Sequence, residues 1–329
     1  MSNDTTQQRV FAIENDQDFN ELALEVFRFQ AFNNPVYRAY LQHLNRQIDT
    51  ITHYRQIPFL PIQFFKTQDV VIEGQQAKVT FHSSGTTGMQ TSRHLVPDLS
   101  WYEESFRRAF QRFYGNVEDI AVLALLPSYL EREGSSLIYM VDDLIQRSQQ
   151  VESDYFLYDH DRLQETLLRL QAKGTKTLLI GVTYALLDFI EQYKIDFPEL
   201  IVMETGGMKG KRKEMVRQEL HSLLKQGFGV NQIHSEYGMT ELLSQGYSDG
   251  DGVFRTPPWM KILLRDTNDP LTLLDKHKTG AINVIDLANY HSCAFIATQD
   301  LGKYHAADAF EILGRFDNAD IRGCNLLVQ

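Results

Sequence analysis

Between residues 79 and 245 short apolar runs alternate with amphipathic stretches, and this alternation limits what the chain can fold into. VTF (79–81), IAVLALL (120–126), TLLIGV (177–182) and LIVME (200–204) read as buried strands. Among them, helices are expected from Ser100 toward Phe113 and near 135–148, 184–193 and 209–226. The first opens at Ser100, which with Glu103 fits a capping box, and Trp101, Phe106, Phe110 and Phe113 form its apolar side. Strands and helices in alternation imply parallel pairing with helices on the faces, so the expected class is α/β.

The flanks differ. Residues 16–65 carry helical periodicity, with Phe19, Leu22, Ala23, Val26 and Phe27 on one face, and Pro58 and Pro61 end that region. After Gly246 the stretch SDGDGVFRTPP reads as a loop, and MKILLRD, GAINVIDL, CAFIAT and FEILG read as short strands joined by turns. The expected organisation is a helical lobe over 1–78, an α/β core over 79–248 and a smaller β-rich subdomain with a C-terminal segment over 249–329.

Composition excludes several classes. With 43% hydrophobic residues in 329 there is material for a sizeable core. No run approaches the roughly 18 apolar residues of a membrane span, and MSNDTTQQRV lacks a secretory pattern, so a cytoplasmic protein is expected. A formal charge of −11 repels nucleic acid. The one basic run, KGKRKE at 209–214, reads as a solvated first turn of a helix. Cys293 and Cys324 are too few for a disulfide framework, and both are expected as thiols.

Four motifs carry candidate chemistry. HSSGTTGM (82–89) follows a strand, and its glycines and hydroxyls suit phosphate oxygens; a plain flexible loop has the same composition. It is no Walker loop, because the Gly-Lys-Ser/Thr ending is missing. In HSEYGMTELLSQGY (234–247) an aromatic face for a purine, a hydroxyl for a phosphate and a carboxylate for Mg²⁺ stand within five residues; a turn entering a helix capped by Thr240 is the alternative. ETGGMKGK (204–211) puts a glycine pair at the carboxyl end of a strand, where open α/β sheets bind ligands, or makes a tight strand-to-helix turn. IATQDLG (296–302) and GRFDNADIRGCNLLV (314–328) offer Asp300 to ribose hydroxyls and Arg315 to ribose or phosphate oxygens, unless both are surface residues.

Taken in order, HSSGTTGM, TGG, EYGMTE, QDLG and GRFDNADIRG resemble the motifs of the adenylate-forming superfamily of acyl and aryl coenzyme A ligases, luciferase and peptide-synthetase adenylation domains. The resemblance covers roughly 80 to 325. In detail the chain is similar to phenylacetate coenzyme A ligases and, more closely, to the acyl-protein synthetases of bacterial bioluminescence, on its RGCN ending and short length. The resemblance implies the N-terminal-domain fold of adenylate-forming enzymes, ATP and Mg²⁺, and a carboxylic acid substrate, a fatty acid in the nearer family.

Carried over by motif, Ser84, Thr86, Thr87 and Gly88 would contact the ATP phosphates, and Gly206 and Gly207 would line the adenine and acyl pocket. Tyr237 would stack on adenine, Thr240 would bond the phosphate, Glu241 would bind Mg²⁺, and Asp300 and Arg315 would hold the ribose. Cys324 would accept the acyl group, with Arg322 favouring its thiolate; its other reading is a small buried apolar residue, as for Cys293. Implied partners are an acyl-donor or acyl-acceptor protein, namely a transferase, reductase or acyl carrier.

Two departures stand out. Most superfamily phosphate loops continue to a lysine, whereas this one reads MQTSRH, leaving Arg93 as a partial substitute. Members usually carry a mobile C-terminal domain with a catalytic lysine; this sequence stops fourteen residues after Arg315, so that domain is expected to be absent. Adenylation would then be slow, or would borrow charge from Arg93, Arg322 or a partner. A coenzyme A ligase with an external thiol, or a nucleotide-binding subunit with reduced catalysis, are the competing readings.

Overall fold

The computed structural model describes residues 3–83, 91–127, 134–206, 215–275, 278–305 and 308–315. They form two compact units. The first holds the described residues up to Ser105, Thr240–Ser244 and those from Arg255 onward; the second holds Phe106–Met239 and Gln245–Phe254.

In the first unit the chain opens with α1 (Asn3–Phe11), α2 (Asp16–Asn33) and α3 (Pro35–His43). Asn15 caps α2 by accepting the Asp18 N–H, and Asn34 caps α3 by accepting the N–H groups of Val36 and Tyr37, with Pro35 pre-set for the first helical position. The face expected from sequence is buried: Phe19, Leu22, Ala23, Val26 and Phe27 are at most 4% exposed. Two short elements follow, β1 (Leu60–Pro61) and α4 (Phe64–Thr67).

β2 (Val79–His82) pairs antiparallel with β3 (Arg93–Val96) in a separate two-stranded ribbon. This corrects the expectation that VTF is a buried strand: only Phe81 is buried, packed against Tyr102, because a two-stranded ribbon covers one side of its strands. The next helix, α5 (Leu99–Tyr114), starts before Ser100. Asp98 accepts the Ser100 N–H at 3.1 Å, so the shorter acidic side chain takes the turn and Ser100 lies inside the helix, its hydroxyl accepting from Gln7.

The second unit is built on β4 (Ala121–Leu125), α6 (Ser136–Arg147), β5 (Asp154–Tyr155), α7 (His160–Lys173), β6 (Thr177–Val182), α8 (Thr183–Gln192), β7 (Ile201–Thr205), α9 (Arg217–Phe228), β8 (His234–Tyr237), β9 (Gly246–Ser248) and β10 (Val253–Arg255). Its strands run in the order β5-β4-β6-β7-β8-β9-β10, parallel from β5 to β8, with β9 antiparallel to β8. Parallel neighbours need crossovers, and the helices supply them: α6 packs on β4, α8 on β6 and β7, and α9 on α8. Every residue of β4 and β6 is buried, which is why those strands read as unbroken apolar runs. Of the helices, α7 was not expected; Asp159 caps it and Gly174 ends it in the left-handed conformation at φ 64°.

The chain then completes the first unit with β11 (Met260–Arg265), β12 (Thr279–Asp286), β13 (Phe295–Tyr304) and β14 (Phe310–Arg315), an antiparallel run in sequence order with β1 parallel to β13. The turn-linked β strands expected after Gly246 are present. α2 pins the connection between β12 and β13: buried Gln30 donates to the carbonyls of Asn289 and Tyr290 at 2.8 and 2.9 Å and accepts the Ala294 N–H at 2.9 Å, while Asn34 donates to Ser292. No described helix is long and apolar enough to cross a membrane.

A Cβ at Gly181 on β6 would stand 2.9 Å from Leu186 Cγ and 3.0 Å from Leu125 Cβ. Gly181→Val is therefore expected to overpack this layer and cost about 1–3 kcal/mol, read as a lower urea midpoint at unchanged slope.

Candidate functional site

Thr240–Ser244 belongs to the first unit although the residues on either side of it belong to the second. No helix follows Thr240; the segment is a turn, so the reading of Thr240 as a helix cap is corrected. Its peptide groups find partners on three side chains instead. Asp286, at the end of β12, accepts the N–H groups of Leu243 and Ser244 on Oδ2 at 2.7 and 2.9 Å, and the Ser244 hydroxyl and the Ala288 N–H on Oδ1. Asn289 donates to the Glu241 carbonyl at 2.8 Å. His94 on β3 places Nδ1 2.8 Å from the Thr240 carbonyl and Nε2 3.0 Å from Asn289 Oδ1. Burial pulls the imidazole down to about 4, against the backbone bond to Thr240 and the contact with Asn289, so the ring is neutral at pH 7.

Around this turn sit other expected residues. Glu241 is buried, and burial raises its carboxyl above the usual range, opposed by a hydrogen bond with Ser92 and by the charges of Arg315 and Lys66. Asp300 on β13 and Arg315 on β14 are register partners; Arg315 Nε donates to Asp300 Oδ1 at 3.3 Å, with the carboxylate 9% and the guanidinium 79% exposed. An acceptor and a cationic donor thus lie side by side, a pairing suited to hydroxyl-bearing and anionic ligands. Behind them Arg265, 7% exposed, donates to the carbonyls of Ile282 and Thr298 and to Asn283 Oδ1, and Thr298 Oγ1 accepts the Asp300 N–H at 3.1 Å. Burial lowers the Arg265 pKa to about 10, which leaves it charged. Arg93 is half exposed and ion-paired with Asp69 at 2.9 Å.

The second unit holds the remaining described candidates. Gly206 follows β7 with φ +72°, a conformation that favours glycine. Beside it Thr205 donates to Glu236 of β8 at 2.7 Å, and a Cβ on Gly238 would fall 2.3 Å from Glu236 Oε1, so the glycine of EYGMTE leaves room for that carboxylate. Tyr237 ends β8, 8% exposed, its ring edge-on to Phe254. Glu204 is buried, which pushes its carboxyl up, yet the Ser235 hydroxyl donating at 2.6 Å, with His221 at 3.6 Å and Arg217 nearby, holds it below the usual range. Cys293, in the first unit, is fully buried and its thiol is pushed up to about 12 by that burial.

Ser84, Thr86, Thr87, Gly88, Gly207 and Cys324 lie outside the described residues, as does the basic run at 209–214. Sequence reasoning missed Ser92, His94, Asp286, Asn289 and Arg265. Ser92 and His94 carried a signal, their place in MQTSRH directly after the Ser/Thr/Gly loop.

No family model matches the sequence, and no curated protein does. Solved structures do. ATP-bound MatB from Rhodopseudomonas palustris is 18% identical with a TM-score of 0.53, over 72% of this chain and 47% of that one. An open conformation of 2-hydroxyisobutyryl-CoA ligase in complex with 2-HIB-AMP and CoA is 11% identical with a TM-score of 0.65, over 93% of this chain and 72% of that one. The same ligase in the postadenylation state with 2-HIB-AMP is 12% identical with a TM-score of 0.65, over 92% and 68%. The chain spans about half the length of the MatB structures it matches, at 47%. The likeness establishes the mixed α/β fold of adenylate-forming enzymes.

The Asp286 carboxylate generates a stability prediction. Asn at this position turns an amide NH₂ or a weaker acceptor toward three N–H groups and a hydroxyl, and about 1–3 kcal/mol is lost at pH 7. Burial raises the native pKa of Asp286 to about 6, above its unfolded value, so the wild type gains stability from this group as pH falls from above 6 toward 4. Asp286→Asn lacks that gain; in urea titrations the gap between the two proteins widens from pH 7 to pH 5.

Proposed function

We propose that this chain activates a carboxylic acid with ATP and Mg²⁺ as an acyl adenylate and transfers the acyl group to a protein thiol. The observation that carries the reading is convergence within the first unit. Glu241, Asp300 and Arg315 come from three separate motifs, yet the Arg315 guanidinium bonds Asp300 and acts electrostatically on Glu241. The fold of adenylate-forming enzymes supports it further.

In this reading a carboxylate oxygen of the acid bonds to the α-phosphorus of ATP, and the bond to the bridging oxygen breaks as pyrophosphate leaves with its electron pair. Ser84, Thr86, Thr87 and Gly88 hold the phosphates, Thr240 bonds the reacting one, and Asp300 and Arg315 hold the ribose. Gly206 and Gly207 line the adenine and acyl pocket and Tyr237 packs on adenine. This first step is catalysis by positioning and charge and needs no covalent bond to the protein. Arg93 contributes positive charge, which its ion pair with Asp69 weakens.

The residues at Glu241 fit Mg²⁺. Among the described residues no three His, Cys, Asp or Glu side chains converge, so Glu241 is the carboxylate that would hold the ion there, a donor set open to an ion that binds phosphates. When bound, the ion neutralises phosphate charge during the displacement.

The second step is attack of the Cys324 thiolate on the acyl carbonyl, giving a thioester and releasing AMP. The acid is a long-chain fatty acid, the partner a transferase, reductase or acyl carrier, and the setting the cytoplasm. A second reading, coenzyme A as the acceptor, is favoured by the 93% of this chain that matches 2-hydroxyisobutyryl-CoA ligase.

Calorimetry of Glu241→Gln is expected to lose the Mg²⁺-dependent part of ATP affinity, because the amide keeps the shape and lacks the charge; equal affinity with and without the substitution removes Glu241 from the site. Incubation with ATP, Mg²⁺ and a labelled long-chain acid is expected to leave a hydroxylamine-sensitive label on the chain. Cys324→Ser abolishes the label and keeps acid-dependent pyrophosphate exchange. Exchange without a label, together with thioester formation only on adding coenzyme A, decides for the second reading, and no exchange with any acid sinks both.

A further inference from the structure

We infer that His94 is a positioning residue for the Thr240–Glu241 turn, holding the phosphate-binding hydroxyl and the metal-binding carboxylate in place by gripping the peptide between them. This rests on the function proposed above and adds a residue that contacts neither nucleotide nor acid.

The turn has no helix or strand to fix it, so its two carbonyls must be met individually. Asn289 meets that of Glu241, and His94 meets that of Thr240. The Thr240 carbonyl and Asn289 Oδ1 both only accept, so a neutral ring can donate to one of them, and the shorter contact, at Thr240, takes the proton on Nδ1. A neutral ring has one N–H to give, which makes the contact with Thr240 the hydrogen bond and leaves Nε2 and Asn289 Oδ1, two acceptors, facing each other without one.

His94 is itself held rigidly. It is fully buried on β3, edge-on to Phe65 of α4 at 5.7 Å. Ser92, two residues before it, bonds the Glu241 carboxyl. The residue entering β3 and β3 itself therefore touch the turn at its side chain and at its backbone. The donor is what the turn needs.

The test compares His94→Leu, which fills the space without a donor, with His94→Asn, whose amide nitrogen falls about where Nδ1 stands. Two readouts are taken on proteins whose folding is checked by circular dichroism: the Mg²⁺ concentration giving half-maximal acid-dependent pyrophosphate exchange, and amide hydrogen exchange of residues 239–244. His94→Leu is expected to need about tenfold more Mg²⁺, the change that corresponds to one ordinary hydrogen bond, with the KM for the acid unchanged. Amide exchange in the turn accelerates by a similar factor, and His94→Asn restores both to within about threefold of wild type. Unchanged Mg²⁺ dependence in folded His94→Leu overturns the inference, and so does failure of His94→Asn to rescue. Absence of exchange in the wild type sinks the proposed reaction instead, and the grip on the turn is then decided by amide exchange alone: unaltered protection in His94→Leu overturns it. Should His94→Leu not fold, His94→Gln takes its place, its donor displaced by a methylene, with the same expected direction.

Discussion

A carboxylate removed from water has to be met by hydrogen-bond donors, and Asp286 is met by four, all from segments without regular structure. This one group turns an irregular peptide into a fixed one. Leu243 and Ser244 hang from it, Glu241 and Thr240 continue from them, and the carboxyl and hydroxyl proposed for catalysis inherit their positions. Burial works against the ionised form, which is why its pKa rises to about 6; the donors are what keep it charged at neutral pH. The same physics recurs with opposite sign at Arg265, a buried cation whose donors go to two carbonyls and an amide oxygen instead of a carboxylate. The first unit thus uses buried charges as clamps for backbone.

Apolar pattern carried much of the fold in the sequence, because burial leaves a period. The runs at 120–126 and 177–182 became β4 and β6, buried on every residue, and Phe19 to Phe27 became the inner face of α2. VTF looks the same in composition yet forms half of a ribbon, since three residues cannot report whether one or two faces are covered. α7 was overlooked although Leu163, Leu167 and Leu170 recur on one face between Asp159 and Gly174; its charged outer face, HDRLQETLLRLQAK, masked the stripe.

The candidate site was legible only where a motif coincides with an element. Asp300 and Arg315 were picked out separately, and strand register then set them side by side. Asp286, Asn289 and His94 were not picked out. Each acts through a hydrogen bond to a backbone group tens or hundreds of residues away, and such bonds leave no period, no composition bias and no spacing rule. Asp286 ends a strand and Asn289 lies in the turn after it, and the meaning of both depends on what another part of the chain brings to them.

Gln30 has a consequence for how the molecule comes into being. Its amide closes three bonds to residues some 260 positions later in the chain, the separation for the Tyr290 carbonyl being 260. A ribosome adds roughly 5–20 residues per second, so α2 waits many seconds in solution before its partner exists. Through that interval the neighbouring Tyr37 and Tyr54 can cover Phe27 and Phe19, but the Gln30 amide has no partner of its own, and the turn that carries Asn289 cannot be pinned until it has been made. Such long-range closure slows folding and exposes the nascent N-terminus to chaperones and to aggregation. The Thr240–Ser244 turn and the residues that hold it can therefore settle only after β12 and the turn that follows it have been made.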